Sequence, residues 1–163
     1  NSLSKNIDSY QEAFDLLFKS VVHTTSLVIP NMQKNKWGRI INVTSVSVKE
    51  PLNYLVLSNS IRSAVVAWGK SLSVDIGKDG ITINSILTGY FDTERIKELN
   101  KEKSKSLNIS EDEVLEKMKS LVPANRLGNI DEYGYLVSFL SSDKAAYING
   151  ASIPIDGGLL KSY

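Results

Sequence analysis

A layered α/β fold with a parallel sheet is predicted by three observations. Helix-type and strand-type patterns alternate along the chain, in the order helix, strand, helix, strand, helices, strand. The first strand-type run, Ile40 to Val43, is short, apolar and β-branched, as in a buried strand of a parallel sheet. The segment joining it to the second is long and carries helical periodicity, as a right-handed crossover between parallel strands requires.

The elements follow in order. Ala13, Phe14, Leu17, Phe18, Val21, Val22 and Leu27 to Ile29 recur at helical spacing, predicting a helix from Asp8 to about Gln33. Asp8 or Ser9 is the candidate cap, and Pro30 is expected to kink or stop the helix near its end. After the turn at Gly38, Ile40 to Val43 reads as a buried strand. A second long helix is predicted over about Tyr54 to Ile76, with apolar residues on more than one stripe. A helix of that kind buries one face on a sheet and has another to cover. Ile81 to Ile86 is the next strand, followed by a loop around Gly89. The charged stretch from Glu94 to Ser120 is predicted helical in pieces, with a capping box at Ser110 and Glu113. Asn129 and Glu132 cap a further helix, and "GASIPIDGG" is a short strand ending in a turn.

Composition bounds the function. The 163 residues suit a single domain, 1–163. A formal net charge of +1 gives no bulk attraction to nucleic acid or an anionic membrane, and the Lys101–Lys105 cluster is interleaved with acidic residues as on a solvated face. With no cysteine and one histidine, His23, thiol chemistry and Cys or His metal clusters are excluded. No apolar run reaches the ~18 residues of a membrane span, and a cytoplasmic setting is expected.

Five stretches, "WGRIINVTS", the helix from Tyr54, "GITINSILTGYFDT", "VPANRLGNIDEYGYLVSFLSSD" and "INGASIPIDGG", stand in the order and spacing of one family. On these the chain resembles the short-chain dehydrogenase/reductases, above all those related to the 3-oxoacyl-acyl-carrier-protein reductases. The resemblance implies the carboxy-terminal portion of a Rossmann-type, doubly wound parallel sheet with about three parallel strands. It also implies NAD or NADP as cofactor for the full-length protein. The Gly-rich turn that would receive the pyrophosphate is not among these segments. The chain is therefore expected to be the back part of a protein of roughly 250 residues, a naturally short protein being the alternative.

The family reduces carbonyls with a tyrosine as proton donor, a lysine four residues later, a strand-end serine and a helix asparagine. The resemblance puts the serine at Ser45, the tyrosine at Leu55, the lysine at Asn59 and the asparagine near Leu17. It assigns cofactor contacts to Asn59, Thr88, Gly89, Phe91 and Thr93. Each has a plainer reading. Ser45 and Ser47 can satisfy a strand-end loop, and Thr93 can cap the next helix in competition with Asp92. Tyr54, one residue from the tyrosine position, is turned about 100° away if it is helical. Arg62 is either a substitute cation or a surface ion pair. Leu55 donates no proton and Asn59 carries no charge.

Two functions therefore remain. One is a nicotinamide-dependent oxidoreductase acting on a small carbonyl or alcohol, with degenerate Tyr and Lys positions and the charged Glu94–Ser120 segment as lid. The other is a catalytically inactive binding or scaffolding member. Helices 8–33 and 54–76 resemble the pair that joins subunits in this family, implying a homodimer or homotetramer.

Overall fold

The computed structural model describes residues 6–162. A three-stranded sheet of order β1-β2-β3 comprises Gly38–Val43, Ile81–Thr88 and Ser152–Ile155. Both pairings are parallel, with Ile40 opposite Ile83 and Ile86 opposite Ile153. β2 is central and buried along nearly its whole length, polar Thr82, Asn84 and Ser85 included.

The period of two along each strand divides the core. Ile81 and Ile83 face one way and pack with Ile76, Met32 and Trp68. Ile86 faces the other and packs with Leu140, Ala145, Leu136 and Ile153. Helices therefore cover both faces, the doubly wound arrangement expected.

The first helix differs in detail from the sequence expectation. α1 (Ile7–Phe14) passes through a π turn (Asp15–Lys19) into α2 (Ser20–Asn35). The cap is Asn6, whose side chain accepts from Ser9 N–H at 2.9 Å, not Asp8 or Ser9. Pro30 sits inside α2, which runs on to Asn35; burial of neighbouring Ile29 and Met32 against the core offsets the lost hydrogen bond.

α3 begins at Val56, two residues later than expected, and ends at Ile76. Its start is set by a clip seven residues back: Asn59 Nδ2 donates to Leu52 O at 2.8 Å, beside the Leu55 N–H that closes the turn on the same oxygen at 2.9 Å. Val65, Gly69, Ser73 and Ile76 lie on its buried face, while Trp68 meets Phe18 edge-on at 6.3 Å. Trp37 is half-exposed and donates to Asp143 at 2.8 Å.

α4 (Glu94–Leu107) and α5 (Glu111–Ser120) form the charged segment, and α6 (Ile130–Ser141) follows. Both expected capping boxes are present, at Ser110/Glu113 and Asn129/Glu132. The Glu132 carboxylate also takes two hydrogen bonds from Arg126, at 2.7 and 2.8 Å.

β3 has only four residues, but the chain before it is tied down by two amides. Asn149 accepts from Ile83 N–H at 3.0 Å and donates to Ser73 O at 2.9 Å. Asn84 donates to Ile148 O at 2.8 Å and accepts from Ala151 N–H at 3.0 Å.

Candidate active site

The carboxyl ends of parallel strands are where α/β sheets bind ligands. At the end of β1, Thr44 uses both its N–H and its hydroxyl on Ile86 O, each at 2.9 Å. The chain leaves the sheet with Ser45 extended, at φ −146°. Ser45 Oγ accepts from Ser47 N–H at 3.1 Å and caps a 3-10 turn. That is the strand-end role, and it uses only an acceptor lone pair. The Ser45 O–H remains a donor.

At the end of β2, the Thr88 hydroxyl bonds that of Tyr133 at 3.1 Å, and Gly89 N–H donates to Ile155 O at 3.0 Å. Gly89 serves close approach of backbone to backbone. An added Cβ would stand 2.6 Å from Asp156 Cα, so the close neighbour belongs to this chain. Asp156 in turn accepts from Gly158 N–H, holding the Gly-Gly turn.

Between these ends lies a cavity of about 450 Å³, walled by Ser45, Leu55, Thr88 and Gly89 and floored by apolar side chains including Val46 and Met118. Ile96 and Leu99 of α4 cover it, so the charged segment sits where the sequence placed a lid. Leu55 also borders a second cavity of about 470 Å³ with Leu16, Leu17 and Ser58. Leu17 lies within the π turn.

The remaining expected contacts lie elsewhere. Asn59 is turned inward, its amide spent on Leu52 O and its Oδ1 buried without a partner among the described residues. It organises the α3 entry instead of presenting an amide to a ribose. Phe91 is buried, edge-on to Tyr133 at 5.3 Å and pressed against Gly128. Thr93 is the α4 cap, accepting from Ile96 N–H at 3.4 Å, and Asp92 is not.

Two pairs were not read from the sequence. Arg62 donates from Nε to Ser58 Oγ at 3.2 Å and from Nη1 to Val43 O at 2.9 Å. Arg62 is thus a cation fixed at the end of β1, not a surface ion pair. Its charge reaches Tyr133, whose hydroxyl is pushed up by burial and pulled partly back by Thr88 and Arg62. The signal was present: Ser58 and Arg62 repeat the hydroxyl-then-cation spacing three positions after the residues assigned.

The second pair is Tyr54 and Tyr90. Because α3 begins at Val56, Tyr54 is outside the helix and the rotation argument does not apply. Tyr54, though 60% exposed, borders the same cavity as Ser45. Tyr90 is half-buried and lines the same cavity as Tyr54. Burial first, then the neighbouring Tyr54, push its hydroxyl up to about 12. Lys103 Nζ stands over the Tyr54 ring, 5.2 Å from its centroid.

A nicotinamide dinucleotide finds a partial set of partners. Arg62 retains donors beyond the two in use, at the strand end where a ribose would need them. Thr93 keeps its hydroxyl proton. No Gly-rich strand-to-helix turn for the pyrophosphate occurs among the described residues. They therefore fit the nicotinamide-ribose end only. Among the described residues no His, Cys, Asp and Glu group suits a metal ion, and no helix is long and apolar enough to cross a membrane.

Known proteins match this architecture. A family model described as enoyl-(acyl carrier protein) reductase matches residues 2–160. The NADPH-dependent reductase BacG of Bacillus subtilis is 32% identical over 80% of this chain and 51% of its own length. The 3-oxoacyl-[acyl-carrier-protein] reductase FabG of Haemophilus influenzae is 33% identical over 93% of this chain and 60% of its own. Among solved structures, YwfH, an NADPH-dependent reductase involved in bacilysin biosynthesis, superposes with a TM-score of 0.93 at 27% identity, covering 98% of this chain and 61% of that one. The L-sorbose reductase of Gluconobacter frateurii, solved with NADPH and L-sorbose, gives 0.93 at 25%, covering 100% and 62%. The chain thus spans about half to three fifths of the length of these relatives. With a parallel sheet covered on both faces, a lidded cavity at its carboxyl edge and a family model matched over nearly every residue, the chain belongs to the short-chain dehydrogenase/reductase family.

Proposed function

We propose that the protein, in its complete form, is an NAD- or NADP-dependent oxidoreductase acting on a small carbonyl or alcohol, and that residues 1–163 form the back part of its single Rossmann-type domain. The observation carrying this reading is the lidded cavity into which Ser45 brings an uncommitted hydroxyl. A donor held in an apolar enclosure is the arrangement that stabilises charge developing on a carbonyl oxygen. The named reductase activities of the relatives support the same reading.

Within it the roles divide by position. The bound dinucleotide supplies the hydride. Ser45 donates a hydrogen bond to the carbonyl oxygen. Arg62, held by Val43 O and Ser58, orients a ribose hydroxyl as a fixed cation. Thr93 offers its O–H to the carboxamide while capping α4. Leu55 is wall, not acid. α4 and α5 exclude water from the cavity. Exposed Leu16, Leu27 and Val74 on the outer helices support assembly as a homodimer or homotetramer.

The product of the complete reading frame should quench or shift NADPH or NADH fluorescence on binding and turn over at least one member of a small-carbonyl panel. Arg62→Ala should weaken cofactor binding about tenfold or more, the loss of a charged hydrogen bond. Binding of neither dinucleotide would refute the reading. Binding without turnover across the panel would favour the inactive scaffold, which the inward-turned Asn59 and apolar Leu17 support.

A further inference from the structure

We propose that Leu55 is the specificity-determining residue of this site: its side chain shuts the substrate cavity off from a second cavity behind it and so limits the length of the carbonyl compound accepted. The inference rests on the reductase reading above and concerns only which carbonyls fit.

The chain passes from one cavity to the other at this residue. Val46 and Leu52, before it, line the first, of about 450 Å³. Val56, Leu57 and Ser58, after it, line the second, of about 470 Å³. Among the described residues, only Tyr54 and Leu55 border both. Tyr54 is largely exposed and closes the outer side of the wall; half-buried Leu55 closes the inner. The backbone beneath the Leu55 side chain is pinned. Its N–H donates to Leu52 O at 2.9 Å, and its carbonyl accepts from Asn59 N–H at 2.8 Å. Asn59 Nδ2 adds a further bond to Leu52 O. None of these bonds uses the Leu55 side chain, so truncation removes the wall and leaves its footing.

The two chambers are alike in chemistry. The first is lined away from Ser45 and Thr88 by Val46, Leu52, Leu99 and Met118. An apolar enclosure of that volume with a few polar groups at one end takes a small ligand and orients it by those groups. The compounds that fit are short apolar ketones and aldehydes, with the carbonyl at the Ser45 hydroxyl and the alkyl chain running toward Leu55. The second chamber is lined by Leu16, Leu17, Val56 and Leu57. A longer alkyl chain would find matching surface there, and burying it would be favourable. The Leu55 side chain stands between the two.

The test uses the product of the complete reading frame, NADPH or NADH, and straight-chain methyl ketones and aldehydes of increasing length. For the wild type, kcat/KM should rise about fourfold per methylene while the cavity fills, then fall at the length where the chain meets Leu55. Leu55→Ala should move that limit outward by about two carbons or more, having opened the wall. Leu55→Phe should move it inward, and carries the test if Leu55→Ala does not fold. Leu99→Ala widens the first cavity without joining it to the second, and should move the limit by about one carbon at most. Ala13→Leu fills the second cavity; it should leave the wild-type profile as it is and cancel the gain in the Leu55→Ala background, a coupling read by a double-mutant cycle. Melting curves and cofactor Kd establish that each variant is folded and loaded. A wild-type length limit in the Leu55 variants, equal shifts from Leu55→Ala and Leu99→Ala, or a gain that Ala13→Leu leaves untouched would each overturn the proposal while leaving the reductase reading intact. So would a wild type with no length limit. Wild-type protein inert toward every carbonyl would overturn both.

Discussion

Gly89→Ala and Gly134→Ala are the same chemical change with opposite expected signs. At Gly89 a new Cβ would meet Asp156 Cα at 2.6 Å, Asp156 Cβ at 2.7 Å and Ile155 O at 3.2 Å. Two of these three atoms are backbone, held by the Gly89–Ile155 hydrogen bond and the β2–β3 ladder, and cannot rotate away. The strand ends must part, and overpacking of this kind costs about 1–3 kcal/mol. At Gly134, inside α6, a Cβ would meet nothing within 4 Å. There alanine only removes backbone freedom from the unfolded chain and gains about 0.5–1 kcal/mol. For a domain of this size 1 kcal/mol moves Tm by about 2–4 °C. Thermal melts should therefore place Gly89→Ala about 2–12 °C below wild type and Gly134→Ala about 1–4 °C above it. A Gly89→Ala protein melting with wild type would refute the claim that backbone contact, not ligand approach, fixes glycine there.

Two further outcomes follow from the packing and the charges. Leu140, on α6, is fully buried against Ile86 of β2, so Leu140→Ala should cost about 2–5 kcal/mol, seen as a lower urea midpoint with unchanged slope; a midpoint unmoved by the change would show the cluster is not core. Arg126, then the Asn129 N–H, hold the Glu132 carboxyl down to about 2 from its ordinary 4.5. A carboxylate depressed by folding stabilises above the unfolded value and loses that contribution as pH falls through the folded one. The Tm gap between wild type and Glu132→Gln should thus be full at pH 7 and close between about 4.5 and 2; a gap constant across that range would contradict the ion pair's role.

The parts legible in the sequence were the local ones. The runs at Ile40–Val43 and Ile81–Ile86 read as strands because they are short, rich in β-branched residues and bounded by turn residues at Gly38, Gly80 and Gly89. Ser110 with Glu113 and Asn129 with Glu132 read as caps because a capping box closes within one turn. What failed was set across the chain. The start of α3 depends on Asn59 reaching back to Leu52, so periodicity extended the helix over Tyr54 and turned that residue away from the cavity. The same residue, read as a ribose contact, is spent on backbone. Tyr54, in the turn before α3, and Tyr90, after β2, line one cavity, which no local spacing reports. Pro30 reads as a kink or stop because propensity is local, while Ile29 and Met32 are held by a core assembled from distant segments.

The two asparagines before β3 have an effect beyond their bond energies. A strand of four residues has few ladder contacts with which to choose its partner position, and a hydrophobic strip can slide by two residues and still look satisfied. Asn84 and Asn149 forbid the slide. Displaced, they would strand the four bonds they make at Ile83, Ser73, Ile148 and Ala151, at about 1–3 kcal/mol for each group left dry. The sum is comparable with the ~5–15 kcal/mol that holds an entire domain together. The tail of the molecule is thus indexed like a notched ruler, with one tooth for one slot, and the Gly157–Gly158 turn packed against Val122 and Pro123 inherits its location from that notch.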